Sequence, residues 1–389
     1  MTTLRFEFIK VFRRPYFIIS ILLFTLINFA AIFITNKGYQ NWVGEDHQNK
    51  VCEEFLCGPI DSQKIDKVIS ETKRLSDIVA SQKFSREYDS NTITGYLFGD
   101  FNLYYGYLEP NLKYAVSYAY DMQDIIQRAY ENVEFYEQVG NIKELNKNHD
   151  IIQLYSGRSI NEYRNLYGAR YLLFYDFSGL LIMFLLVLTL TPGFVSEREN
   201  RMYQLFPTFP SGERKINSTK FLFIILITLM YCIWFFIMDL IGFALFSHLQ
   251  GFSMPLYSIQ EFQLTPLNLS IGQFYVFCLI LKIFGMLIIS FYIAILSKFL
   301  PKIVYVFLGS VLPLVLFIFW LPRAYSTLGW LDFINPMHLI KNRYIFLAYD
   351  PIFVGSNPIQ PVLLAVLVAM LLIIISSIII QTRIRPRFA

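Results

Sequence analysis

The chain has 389 residues, 55% of them hydrophobic and 17% aromatic, with only 16% charged and a net charge of +4. Its mean hydropathy is +0.45, and the apolar share exceeds the roughly 45–50% of soluble domains. This composition excludes an ordinary soluble domain and predicts an integral membrane protein. The basic residues sit at the ends of apolar runs rather than in one stripe, so no nucleic acid partner is expected.

Residues 1–15 place Leu4, Phe8, Val11 and Phe12 on one helical face and Arg5, Lys10, Arg13 and Arg14 on the other. That pattern predicts an amphipathic helix in the headgroup region, with cations toward membrane lipid. A cytoplasmic tail that merely satisfies charge asymmetry is the plainer alternative. Pro15 allows a bend, because it lacks the amide a continuous helix needs. Residues 16–35 carry no charge and match the about 20 residues that span a bilayer, so they form the first span. The run is too long for a signal-peptide core and no small-residue cleavage site follows, so it is expected to stay as an anchor.

Residues 36–169 turn polar and tyrosine-rich, with helical periodicity around 61–82 and 110–138. They read as a mainly helical domain, and short strands fit near 92–107. Residues 170–389 return to apolar runs: Tyr171–Thr191, Phe221–Phe246, Gly272–Leu296, Ile303–Leu321 and Pro361–Ile380. Between the second and third spans lies the loop 194–219, dense in charge of both signs. The segment 322–360 is too short for a domain and too apolar for a solvated loop. It reads as short re-entrant helices dipping partly into the membrane.

Orientation follows from the short loops. With the N-terminus inside, the inner segments carry Arg5, Lys10, Arg13, Arg14, Arg198, Arg201, Arg214, Lys215, Lys220, Lys298, Lys302, Arg383, Arg385 and Arg387. The short outer loops carry Arg323, Lys341 and Arg343. The prediction is an all-α integral membrane protein of the cell membrane. It has six transmembrane helices, both termini in the cytoplasm and an extracellular domain between spans one and two. Cys52 and Cys57 then lie outside, where a disulfide is permitted, two free thiols being the alternative. Cys232 and Cys278 fall inside spans and pack as small hydrophobes.

Three ionisable residues lie within the spans: Asp176, Asp239 and Lys282. Each is costly in hydrocarbon and should meet a partner, a cavity or the interface. At a rise of about 1.5 Å per residue, Asp239 lies about 28 Å from Lys220 and Lys282 about 24 Å from Lys298, so the two could pair. Asp176 is near enough to the outer boundary to reach headgroups. A buried structural pair is favoured over a substrate or proton pathway.

No GxxxxGK[ST] loop, HExxH or Gly-x-Ser-x-Gly is present, and His47, His149, His248 and His338 are scattered. No catalytic residue, metal site or cofactor is expected in this chain. Energy for any uphill transport would come from elsewhere.

The loop contains Phe194, Glu197, Arg198, Glu199, Gln204, Leu205, Phe206, Pro207, Thr208, Pro210 and Arg214, Lys220 opens the third span, and Asn335-Pro336 precedes the last span. With the amphipathic first helix and six spans, this order resembles the permease subunits of ABC exporters of the type-2 (type V exporter) class. Members often carry Gly where this chain has Arg201-Met202. The resemblance implies a permease paired with a second permease subunit, identical or different. It also implies a cytoplasmic ABC ATPase subunit that holds ATP and Mg. Glu197, Arg198, Glu199 and Arg201 would then form the ATPase-coupling helix, touched by the helix carrying Arg5, Lys10, Arg13 and Arg14. The cargo implied is hydrophobic or amphipathic: a peptide, lipid or drug moved outward. The alternatives are a membrane receptor whose extracellular domain binds a ligand, or an ion-coupled secondary transporter. Few intramembrane charges and no obvious internal repeat weigh against the last.

Overall fold

The computed structural model describes residues 2–43, 56–81, 97–200, 212–247, 249–319 and 335–382. The first helix, α1 (Thr2–Phe12), lays Leu4, Phe8 and Val11 against the core of the helix bundle, with the Phe8 ring edge-on to Phe223 at 5.0 Å. Pro15 opens α2 (Pro15–Val43); at a first helical position its missing amide costs nothing and its fixed φ suits the turn.

The second apolar run is broken, where the sequence predicts a continuous crossing from Tyr171 to Thr191. It divides into α7 (Tyr167–Phe174), α8 (Phe177–Leu190) and α9 (Pro192–Glu199). The first break falls at Tyr175, which is extended at φ −85° and ψ 110°. Beside it, Arg343 donates to both Asp176 oxygens, at 2.5 and 2.6 Å. Asp176, expected to reach the headgroups, has its charge paired with a guanidinium within the chain.

The third run is α10 (Gly212–Phe246). A Cβ on Gly242 would lie 2.7 Å from Ile32 Cδ1, so glycine there lets α2 cross closely. The fourth, α11 (Ile271–Phe299), starts at a capping box of Ser270 and Gln273. In α12 (Ile303–Phe319), Pro313 removes the amide that would bond the Gly309 carbonyl. Tyr292 of α11 supplies the missing donor, its hydroxyl 3.1 Å from that oxygen. The last helix is α14 (Pro361–Gln381). Lys298 at the end of α11 donates to its carbonyls at Ile379, Ile380 and Thr382, at 3.0, 2.7 and 2.6 Å. A cation on the C-terminal carbonyls also suits the helix dipole. It fixes α11 and α14 as parallel neighbours.

Between α12 and α14, the short helix α13 (Met337–Ile340) and a 3₁₀ turn over Asn342–Phe346 pack on α11. A Cβ at Gly285 would meet Ile340 Cγ1 at 2.7 Å and the Pro336 carbonyl at 2.9 Å. Two turns away, Asn342 donates to the Cys278 carbonyl at 2.8 Å. A hairpin, β3 (Ile352–Val354) and β4 (Asn357–Ile359), follows, with Phe353 opposite Pro358.

At the bundle end opposite α1, the residues between α2 and α7 form α3 (Ser62–Ser81), α4 (Leu97–Leu103), a π turn over Tyr104–Leu108, α5 (Glu109–Val139) and α6 (Ile142–Tyr155). The strands expected near 92–107 are not there among the described residues, which begin again at 97. Asp100, Leu103, Tyr104 and Leu108 are buried at helical spacing. The strands present, β1 (Gly58–Pro59) and β2 (Glu162–Tyr163), pair antiparallel and close the base of this region.

Four side chains dock it on the 249–270 loop by taking up loop carbonyls. Tyr114 donates to Tyr257 at 2.7 Å, Tyr118 to Gln263 at 3.2 Å, Tyr155 to Leu264 at 2.7 Å and Arg158 to Thr265 at 2.8 Å. A loop outside helix and sheet must satisfy its buried carbonyls this way. Burial pushes the Tyr118 and Tyr155 hydroxyls up to about 12, against the opposing pull of Arg158.

Candidate functional site

The other end of the bundle gathers α1, α9, the starts of α10 and α12, and the last turns of α11 and α14. It is stitched together where Pro192 breaks the helical ladder. Ser297 of α11 accepts from the Phe194 and Val195 amides at 3.0 and 3.2 Å and donates to the Thr191 carbonyl at 2.9 Å. One hydroxyl thus satisfies three backbone groups that the break would orphan.

Glu197 is the centre of the junction. Its carboxylate accepts from Lys10 of α1 at 3.2 Å and from Lys220 of α10. The Lys220 side chain is only 4% exposed, that of Glu197 12%. Lys220 also donates to the Gly193 carbonyl at 3.2 Å and lies 4.2 Å from the centroid of the Phe194 ring. Glu7 faces the same group. Burial lifts its carboxyl above the ordinary range, although Lys220 and Lys10 pull it down. Glu199 accepts from the Ile303 amide at 3.1 Å, capping the first turn of α12.

The residues singled out from the sequence therefore divide. Glu197 and Lys10 come together and face inward, and Glu199 turns to α12. Arg14 donates to Tyr16 at 2.6 Å, while Arg5 and Arg13 are exposed. Arg198 lies within α9, and Arg201 and Cys52 lie outside the described residues. Cys57 is disulfide-bonded, and Cys232 and Cys278 are free thiols. Sequence reasoning noted Lys220 without giving it this role, and missed Glu7 and Ser297. A serine in an apolar helix carries no signal of its own. Glu7 lies three residues before Lys10, a spacing that shares a helix face.

A second polar centre sits within the bundle. Asn28 donates to Asp239 at 2.7 Å and accepts from the Tyr175 hydroxyl at 2.8 Å. Asp176, Asp239, Lys282 and Arg343 line one cavity of about 30 Å³. The predicted Asp239–Lys282 ion pair is not formed among the described residues. The depths agree, but Asn28 holds the carboxylate and the lysine faces it across the cavity. Each charge thus meets a polar partner or a cavity, as hydrocarbon burial demands.

Among the described residues no group of three His, Cys, Asp or Glu could hold a metal ion. The junction pairs ions and caps a helix, and so ties α1, α9, α10 and α12 together.

Among the described residues, five helical stretches are long and apolar enough to cross a membrane: Pro15–Asn36, Tyr167–Glu197 taken across its breaks, Lys215–Phe246, Ile271–Phe299 and Pro361–Gln381. A shorter apolar helix covers Ile303–Leu316. The chain is an all-α, multi-pass membrane protein. Comparison with protein-family models, with curated proteins and with solved structures gave no match.

Proposed function

We propose that the chain is the membrane-spanning subunit of an ATP-driven exporter, working with a separate ATPase subunit and a second permease subunit. In this reading Ile303–Phe319 completes a sixth span. The Glu197 end faces the cytoplasm, and residues 36–169 form an extracellular domain. The charge asymmetry supports that orientation: Arg5, Lys10, Arg13, Arg14, Lys215, Lys220, Lys298 and Lys302 all lie at the Glu197 end.

The observation that carries the proposal is the Glu197 carboxylate, bound at once to Lys10 of α1 and Lys220 of α10. A partner pressing on α9 would move the amphipathic helix and a span as one unit, while Glu199 passes the motion to α12. That is the linkage a permease needs if its energy arrives from a motor docked at one face. A hydrophobic or amphipathic cargo, and the outward direction, belong to the same proposal through the resemblance.

The test is to purify the tagged chain from its native membrane in a mild detergent and measure MgATP hydrolysis in nanodiscs. An ATPase subunit should co-purify, and charge reversal of Arg198 together with Arg201 should release it while leaving the chain folded. Intact, monodisperse protein with no nucleotide-hydrolysing partner would overturn the proposal.

A further inference from the structure

A cleft of about 240 Å³ opens between the π turn, β2 and the 254–261 loop, well above the about 150 Å³ that holds a benzene. Ile160, Leu166 and Met254 contribute apolar surface, and two ion pairs lie at its edge. Arg170 is locked to Glu261. Arg164 and Glu162 are about as exposed, at 43% and 47%, but they stand 3.4 Å apart, whereas Arg170 Nε reaches Glu261 at 2.6 Å. An exposed pair of that kind contributes little to stability, so its members can exchange each other for a ligand at small cost. The Ser258 hydroxyl is buried in the same wall and has no hydrogen-bond partner among the described residues.

We propose that this cleft is a binding site for a small zwitterion with an apolar body, of the size and charge pattern of a free dipeptide. The carboxylate would take Arg164, the ammonium Glu162, and the apolar side chains the surface formed by Ile160, Leu166 and Met254. A ligand of single charge would set a like charge against one member of each pair. The Ser258 hydroxyl offers the remaining polar contact. A bound zwitterion would bridge the domain that carries β2 to the loop that Tyr114 and Tyr118 hold by its carbonyls. The inference does not depend on whether a motor docks at the far end of the bundle.

The test is calorimetric titration of the full chain in nanodiscs with leucyl-leucine, its acetylated and amidated form, and phosphoethanolamine. Leucyl-leucine should bind, and blocking its termini or making Arg164→Gln should weaken it by about tenfold or more, as loss of a charged hydrogen bond does. Gly106→Leu supplies an independent arm. Gly106 lines the cleft and a Cβ there would meet nothing within 4 Å, so the variant should fold normally and lose binding. No binding of leucyl-leucine, equal binding of the blocked form, or unchanged binding in Gly106→Leu would each overturn the proposal. So would binding of phosphoethanolamine alone, which would mark a lipid-headgroup site.

Discussion

Replacing Glu197 by Ala should be among the most damaging single changes at the α1 end of the bundle. It leaves the Lys220 ammonium, 4% exposed, with the Gly193 carbonyl and the Phe194 ring as its remaining direct contacts, and with Glu7, whose charged form burial disfavours, as the carboxyl still facing it. Breaking a buried ion pair from one side costs about 3–5 kcal/mol, because a charge stays buried without its counterion. Lys10 is 25% exposed and can turn to water, so its share is small. Lys220→Met alone should cost about 1–2 kcal/mol, since Glu197 keeps Lys10 and some solvent, and the double variant Glu197→Ala/Lys220→Met should recover most of the loss. The assay is equilibrium unfolding in micelles by titration with a denaturing detergent, read as a double-mutant cycle. A cost for Glu197→Ala below about 1 kcal/mol, or a double variant no better than the single one, would refute the claim that this pair is buried and coupled.

The same unfolding assay checks three further predictions. Tyr292→Phe should cost about 1–3 kcal/mol by orphaning the Gly309 carbonyl, and adding Pro313→Ala should restore an amide donor and much of the stability. Gly285→Ala should cost about 1–3 kcal/mol by pushing on the Pro336 backbone, whereas Gly106→Ala, with open space around it, should not destabilise. Burial raises the Glu7 carboxyl above its ordinary 4.5, so the folded chain holds that proton more tightly than the unfolded one. Its contribution is therefore most favourable in acid and is lost as pH rises from 4.5 through the raised value. Glu7→Gln should flatten that part of the pH profile and stabilise the chain at neutral pH; an unchanged profile would contradict the burial.

The fold was legible wherever one period ruled a long segment. Helical spacing over 61–82 and 110–138 matches Ser62–Ser81 and Glu109–Val139 closely. It was illegible where a tertiary partner overrode the local pattern. Asp176 looked like a residue at the edge of a continuous span, and its partner lies 167 positions away on Arg343. Short strands fitted near 92–107, and in the described part of that stretch packing against α3 selects a helix instead. At the junction, charge density in 194–219 marked the right stretch but not the direction of its side chains. A carboxylate reaching a partner protein and one reaching Lys10 read the same in one dimension. Depth counting placed Asp239 and Lys282 at one level, yet could not foresee that Asn28, from a different helix, would take the carboxylate.

The central claim is that the Glu197 end is the docking face for a motor supplied in trans. Its most direct measurement is site-specific photocrosslinking from position 201 in native membranes, with the product identified by mass spectrometry. The account predicts a crosslink to a nucleotide-hydrolysing subunit, formed from the cytoplasmic side. Labelling of position 201 by an impermeant reagent added outside, with no such crosslink, would contradict it.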